Sequence, residues 1–243
     1  MRIIPVIDIL GGVAVHAVRG RRREYKPLKS VLTDSSRTLN VAQAFNAAGF
    51  SELYVADLDA ITGKGENLDE ITQIIRETGL QVMVDSGTSK LTHAKTLLKH
   101  NIAKVIIGTE TLTDLCFVKK AIECLGTEKI VVSLDMKAGQ VLGKFDAARS
   151  LTPVKLAKEF VDVGVEELIV LDLARVGSGE GVDISLLKKI VRNRKVKVLV
   201  GGGIRGIEDL KILKSVGVDG VLLATCLHSG RVSPQDLKRL IQV

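Results

Sequence analysis

Apolar residues along this chain fall into eight short, nearly unbroken runs rich in β-branched side chains. Each is followed by a stretch with apolar positions at helical spacing. The runs begin near Arg2, Glu52, Leu80, Lys104, Lys129, Glu167, Val196 and Asp219, and include IIPVID, KVIIG, KIVVSLD, ELIVLD, VLV and GVLLA. Strands with one wet face would alternate apolar and polar residues; these do not, which predicts parallel strands covered on the outside. Stretches such as ISLLKKIVRN and EDLKILKSVG predict amphipathic helices between them. Thr152-Pro153 and Ser233-Pro234 read as helix starts, a capping hydroxyl followed by proline at the first helical position. Gly49, Gly79, Gly164 and Gly217 read as helix stops. Eight strand–helix alternations predict an α/β chain folded as a (β/α)8 TIM barrel, a single domain over residues 1–243. A doubly wound open sheet is the competing architecture, weakened because no G-x-G-x-x-G follows the first strand.

The pattern also repeats. Residues 52–71 read ELYVADLDAITGKGENLDEI and residues 167–187 read ELIVLDLARVGSGEGVDISLL; each is an apolar strand closed by an aspartate, then a glycine-bearing loop and a helix. Val84-Asp85-Ser86-Gly87 matches Val200-Gly201-Gly202-Gly203, and Val105–Thr109 matches Val221–Thr225, always about 115 residues apart. A steady offset of this kind predicts duplicated architecture, here two half-barrels of about 1–126 and 127–243.

Composition narrows the ligand. The net charge is +7, which fits an anionic partner. Aromatics are only 3% with no tryptophan, so there is no stacking platform for single-stranded nucleic acid, and no helix-turn-helix or zinc-finger spacing is present. No apolar run approaches the roughly 18–20 residues that span a bilayer. MRIIPVIDIL reads as a strand ending in Asp8, not as a signal peptide. Cys116, Cys124 and Cys226 lack metal-ligand spacing and suggest thiols in a reducing, cytoplasmic setting. The expected partner is a phosphorylated small molecule, with neither nucleic acid nor membrane; nothing in the sequence speaks to oligomeric state.

In a barrel of this kind the chemistry sits where the strands end. Asp8 closes the first strand and Asp135 the fifth, facing each other across a solvated mouth, where two carboxylates can serve as general base and general acid. Asp57 and Asp172 are the other matched pair and are read chiefly as loop-orienting residues. Gly201-Gly202-Gly203-Ile204 closes the seventh strand ahead of a helix near Gly206, which suits backbone binding of phosphate, with Thr225 beside it. The equivalent turn in the first half reads Asp85-Ser86-Gly87-Thr88: Asp85 repels an anion there, while Ser86, Gly87 and Thr88 can still hydrogen-bond. Arg19 and the GRRREYKPLKS run that follows it form either a solvated loop or a flap over the site, and His16 precedes them as a structural or functional residue.

The strings IIPVIDILGGVAVHAVRG, LYVADLDAITG, SLDMKAGQV and VGGGIR resemble, over nearly the whole chain, the histidine-biosynthesis barrels. That family comprises the phosphoribosylformimino-aminoimidazole carboxamide ribotide isomerase and its sister, the cyclase subunit of imidazole glycerol phosphate synthase. The isomerase is the nearer match, since the cyclase typically carries a lysine where His16 stands. The resemblance implies an Amadori rearrangement of an aminoaldose to an aminoketose, without metal or organic cofactor. It implies Asp8 as the base at C2, Asp135 as the acid at the ring oxygen, and Gly202, Gly203 and Thr225 around a terminal phosphate. Departures are concentrated in substrate recognition. The family's strand-three G-G-G-I-R is Asp85-Ser86-Gly87-Thr88-Ser89; the strand-six loop lacks its threonine and second aspartate and reads through Arg175 to Ser178; the strand-five tryptophan is missing, with Phe145 the nearest aromatic; and His16 replaces a common arginine. Three readings stand: the histidine-pathway isomerase, a diverged paralogue acting on another phosphosugar, and a catalytically silent barrel that binds a phosphorylated metabolite.

Overall fold

The structure is a computed structural model that describes residues 1–192 and 195–242; Asn193, which ends the ISLLKKIVRN stretch, lies outside the described residues. Eight strands run in parallel: β1 (Arg2–Leu10), β2 (Glu52–Asp57), β3 (Gln81–Asp85), β4 (Lys104–Gly108), β5 (Ile130–Lys137), β6 (Glu167–Asp172), β7 (Lys197–Gly201) and β8 (Gly220–Leu223). Consecutive strands pair throughout, and β1 pairs with β8, Arg2 lying opposite Gly220 and Pro5 opposite Leu223. The sheet is therefore closed, and the chain is a (β/α)8 TIM barrel rather than an open sheet with two edges. Each strand begins within a residue of the position its apolar run indicates.

Helices α1 (Thr38–Ala47), α2 (Leu68–Thr78), α3 (Leu91–Lys99), α4 (Leu115–Leu125), α5 (Pro153–Asp162), α6 (Ile184–Val191), α7 (Ile207–Val216) and α8 (Pro234–Gln242) return the chain between strands and after β8. Thr152 caps α5 through its hydroxyl, which accepts from the Lys155 N–H. Gly79 and Gly217 end α2 and α7 in the left-handed region, at φ 68° and 90°, where a side chain would be strained. Phe45, Ile74, Phe160 and Leu213 fill the layer between helices and strands.

The barrel interior has its own layer. Ile4, Tyr54, Met83, Ile106, Val131, Ile169, Leu199 and Leu222, one from each strand, form a separate buried cluster. Because side chains alternate along a strand, the next inward positions toward the C-terminal end are Val6, Ala56, Asp85, Gly108, Ser133, Leu171 and Gly201. One further step brings Asp8 on β1 and Asp135 on β5 to the mouth. Register does the same job sideways: Asp8 is level with Ala56, and Ala56 with Asp85.

At the opposite end the floor is closed by charge. Arg2, Glu52, Lys104 and Glu167 are the first residues of β1, β2, β4 and β6. Arg2 grips Glu52 with two bonds of 3.0 and 2.5 Å and reaches Glu167 at 2.7 Å, while Lys104 pairs with Glu167 from the other side. Burial pushes the Glu167 carboxyl up, but the hydrogen bonds from Lys104 and Arg2 outweigh it and hold the pKa below the ordinary 4.5. A folded pKa below the unfolded one means that this stabilisation is complete above about pH 4.5 and is lost as pH falls through the folded value. Glu167→Ala should lower unfolding free energy in urea at pH 7 by about 2–3 kcal/mol, modest for a buried pair because Arg2 and Lys104 keep contact with water. The gap to wild type should narrow in acid.

Candidate active site

Asp8, Asp85 and Asp135 line one cavity at the C-terminal mouth, with Glu110, Tyr25, Tyr54 and Arg22 around them. Glycine makes the gathering possible. A Cβ on Gly108 would sit 2.8 Å from Asp135 Oδ2 and 3.4 Å from Asp85 Oδ2, so β4 presents no side chain between β3 and β5. Ala56, level with Asp8 on one side and Asp85 on the other, presents only a methyl group between β1 and β3. Asp135 is 4% exposed; its Oδ1 accepts from the Ser133 hydroxyl at 2.6 Å and its Oδ2 from the Glu110 N–H at 3.2 Å. Asp85 Oδ1 accepts from the Gly87 N–H at 3.1 Å.

The mouth is less solvated than a strand-end reading implies, with Asp85 and Asp135 buried and Asp8 half-buried. Desolvation lifts the Asp8 carboxyl from 3.8 to about 7, the Arg22 guanidinium pulling it down and Asp85 pushing it up. Desolvation, then the Asp85 charge, lifts Asp135 to about 7 against the bonds from Ser133 and Glu110. Asp85 reaches about 6, also chiefly through desolvation. These three groups share one cavity and titrate near neutrality, where carboxylates can both hold and release protons.

Across the cavity lie Gly201, Gly202, Gly203, Ala224, Thr225 and Arg231. Gly202 and Gly203 have φ of 90° and 86°. A Cβ on Gly202 would lie 2.6 Å from the Asp172 carbonyl oxygen, and one on Gly203 would collide with the Gly181 carbonyl. The turn thus needs glycine for its packing against the β6 loop whatever it binds. The Gly203 carbonyl accepts from the Gly181 N–H at 2.9 Å. Thr225 Oγ1 is 3.2 Å from His16 Nε2, which places His16 beside this end.

The basic segment after β1 is folded. Val13–His16 pairs antiparallel with β1, and Lys26–Pro27 pairs with Val15 and His16. The connection carries Arg22 over the mouth, where it bonds Glu110 at 2.9 and 2.6 Å. Arg19 pairs with Glu180 at 2.5 Å, and its N–H donates to the Val176 carbonyl, tying the ribbon to the β6 loop. The remaining cavity is about 110 Å³, below the several hundred Å³ usual for ligand sites.

Several sequence-indicated residues lie outside the cavity lining. Ser86 and Thr88 are buried with their hydroxyls 3.4 Å apart, Ser86 also 3.4 Å from His93 Nε2, and the Gly87 N–H is engaged by Asp85. Asp172 accepts from the Ala174 N–H and pairs with Arg175 at 3.1 Å. Asp57 holds the Ala60 N–H and both the N–H and side-chain amide of Asn67. The Ser178 hydroxyl donates to the Arg175 carbonyl and accepts from the Glu180 N–H, within its own loop. Conversely, Tyr25, Tyr54, Gly108, Glu110 and Arg231 belong to the site and were not singled out by the sequence. Gly108 was the one with a signal, an inward glycine two residues beyond Ile106 on a strand.

The protein is a parallel eight-stranded barrel whose facing carboxylates and glycine turn lie at the C-terminal mouth, the face on which barrel enzymes carry their active sites. The chain belongs to the histidine biosynthesis protein family, whose model matches residues 2–233. It is 37% identical to an uncharacterized protein of Methanocaldococcus jannaschii, over 98% of this chain and 97% of that one. It is 33% identical, over 100% and 99% of the two chains, to the 1-(5-phosphoribosyl)-5-((5-phosphoribosylamino)methylideneamino) imidazole-4-carboxamide isomerase of Clostridium botulinum. The isomerase of the same name from Methanocaldococcus jannaschii is 30% identical, over 100% and 99%. Among the described residues no helix is long and apolar enough to cross a membrane.

A carboxyl whose folded pKa exceeds its unfolded one is bound more tightly to its proton in the native state. It therefore lowers stability as pH rises from about 4 to about 7. Asp8→Asn removes that penalty. Its melting temperature should exceed wild type by several degrees at pH 8, on the order of 1–3 kcal/mol, and should match wild type below about pH 3, where the Asp8 carboxyl is neutral in the folded and the unfolded chain alike. Calorimetric melts at the two pH values check this.

Proposed function

We propose that the protein is an aldose–ketose isomerase acting on a phosphorylated aminosugar by an Amadori rearrangement. Asp135 gives its proton to the ring oxygen, opening the sugar. Asp8 removes the C2 proton from the opened aminoaldose. C1 gains a proton and the C2 hydroxyl loses one as it becomes the carbonyl, so the product is an isomer and no oxidant is consumed. The phosphate lies against Gly202, Gly203 and Thr225, with Arg231 adding positive charge. The observation that carries this reading is that Asp8 and Asp135, from strands on opposite sides of the barrel, line one desolvated cavity and both titrate at about 7. At neutral pH such a pair holds about one proton between its two members, the state in which one is acid and the other base. Membership of a family with isomerases at 30–33% identity supports the same reaction class.

A second reading concerns substrate, and two observations favour it. The isomerases' name carries two phosphoribosyl groups, yet the turn after β3 presents Asp85 to the cavity. In addition, Methanocaldococcus jannaschii has both a so-named isomerase at 30% identity and a separate relative at 37%. On this reading the chain performs the same rearrangement on a different, singly phosphorylated sugar.

Complementation of a histidine auxotroph lacking the isomerase separates the two: growth supports the histidine-pathway substrate, and no growth with folded protein supports the second. For the chemistry, Asp8→Asn and Asp135→Asn should each lower kcat by about 10²–10⁴-fold. Ketose formation from an aminoaldose phosphate is the readout. Full turnover by Asp8→Asn, in protein that melts cooperatively, contradicts the mechanism.

A further inference from the structure

The cavity is electrically two-ended. Its glycine-turn end holds Thr225 and Arg231, whose guanidinium lies 3.2 Å from where a Cβ on Gly179 would be. Its other end holds Asp85, Asp135 and Glu110, with Asp8 between the two ends because β1 pairs with β8 and Asp8 and Ala224 line one small pocket; the cation there, Arg22, is already engaged by Glu110 through two bonds. A phosphate placed at this second end would meet carboxylates and find no free guanidinium.

Asp85 itself is poised for a different ligand group. It is 8% exposed, and its Oδ1 occupies the Gly87 N–H, the backbone donor that an anion at this turn would use. Among the described residues its Oδ2 has only the Tyr54 hydroxyl, at 3.5 Å, well beyond the 2.5–3.0 Å of a sound O–H···O bond. A buried carboxylate oxygen without a good partner, facing a cavity, calls for a donor from the ligand. Ser86 and Thr88, which could have softened the turn for a phosphate, face each other in the buried wall behind it.

We propose that Asp85 sets substrate specificity: the substrate carries one phosphate, at the glycine turn, and presents a protonated amine to Asp85 at the other end, where a second phosphate is rejected. This rests on the cavity being the isomerase site and deepens that reading by naming the group at each end. Charge-assisted bonds between ammonium and carboxylate are short and about twice as strong as neutral ones, so the amine is selected over a hydroxyl in the same place. Asp85 acts by recognition; the proton transfers remain with Asp8 and Asp135.

The test is calorimetric binding at pH 7.5 with three probes: 1-amino-1-deoxyfructose 6-phosphate, fructose 6-phosphate and fructose 1,6-bisphosphate. They differ only at C1, which carries an amine, a hydroxyl or a second phosphate. Wild type should bind 1-amino-1-deoxyfructose 6-phosphate about tenfold or more tightly than fructose 6-phosphate, and fructose 1,6-bisphosphate no better than fructose 6-phosphate. Asp85→Asn should erase the amine preference. Asp85→Gly should also erase it and bind the bisphosphate about tenfold better than wild type does, since it frees the Gly87 N–H and removes a repelling charge. Thermal melts establish that both variants are folded, and Asp85→Asn, nearly isosteric, keeps the test decisive if the glycine variant is not. An equal affinity for the two monophosphates, no detectable binding of the amine at millimolar concentration, a preference for the bisphosphate, or an amine preference that survives Asp85→Asn overturns the proposal. These outcomes are independent of turnover. An amine preference in an enzyme whose Asp8→Asn variant is fully active would sink the mechanism and leave the specificity; a dead Asp8→Asn variant with no amine preference would do the reverse.

Discussion

Two carboxylates, Asp85 and Asp135, crowd over a glycine at the mouth of a closed barrel with a third, Asp8, in the same cavity, and the proposed chemistry rests on that crowding. Water would normally keep Asp8, Asp85 and Asp135 apart in energy and ionised at neutral pH. Closure of the sheet through β1 and β8 sets them facing one another, and the absence of a side chain at Gly108 lets β3 and β5 bring two of them to the same spot. The ribbon carrying Arg22 lies over this mouth, where Arg22 pairs with Glu110. Desolvation, the leading cause in all three cases, lifts the carboxyls toward neutrality.

The two ends of the barrel handle charge in opposite ways. At the floor, Glu167 is met by Arg2 and Lys104, and the ionised form is favoured. At the mouth, carboxylates are packed with too few cations, and the protonated form is favoured. The floor contributes stability and the mouth withdraws some of it, the relation expected between a structural ion cluster and the site at which we propose proton transfer. Mutations at the two ends therefore move stability in opposite directions with pH.

Much of the architecture was legible in the sequence because parallel, doubly covered strands leave a strong mark: IIPVID and ELIVLD cannot be surface strands, and Thr152-Pro153 can hardly be anything but a helix start. Asp8 and Asp135 were read as strand-closing residues; they lie on the inward face near the strand ends, but β1 runs on to Leu10 and β5 to Lys137. What the sequence hid was lateral. That Asp85 and Asp135 share the space over Gly108 depends on the register of β3, β4 and β5, and that Arg22 reaches Glu110 depends on how a long connection folds back on β1. Tyr54 and Arg231 carry no local signal at all; barrel closure brings them in. The turn Asp85-Ser86-Gly87-Thr88 reads as a damaged phosphate grip, and only coordinates reveal Asp85 turned to the cavity while the two hydroxyls pack behind it.

The account stands on the ionisation of these three aspartates, which can be observed without any substrate. Carbon-13 labelling of the aspartate carboxyls and an NMR titration, assigned through Asp8→Asn, Asp85→Asn and Asp135→Asn, read each one directly. The account predicts that Asp8 and Asp135 titrate at about 7 and Asp85 at about 6. It predicts as well that Asp85→Asn lowers the Asp135 midpoint, because the Asp85 charge holds it up. If all three carboxyls titrated near 4, as in water, the mouth would be solvated and the proposed division into acid and base would be contradicted.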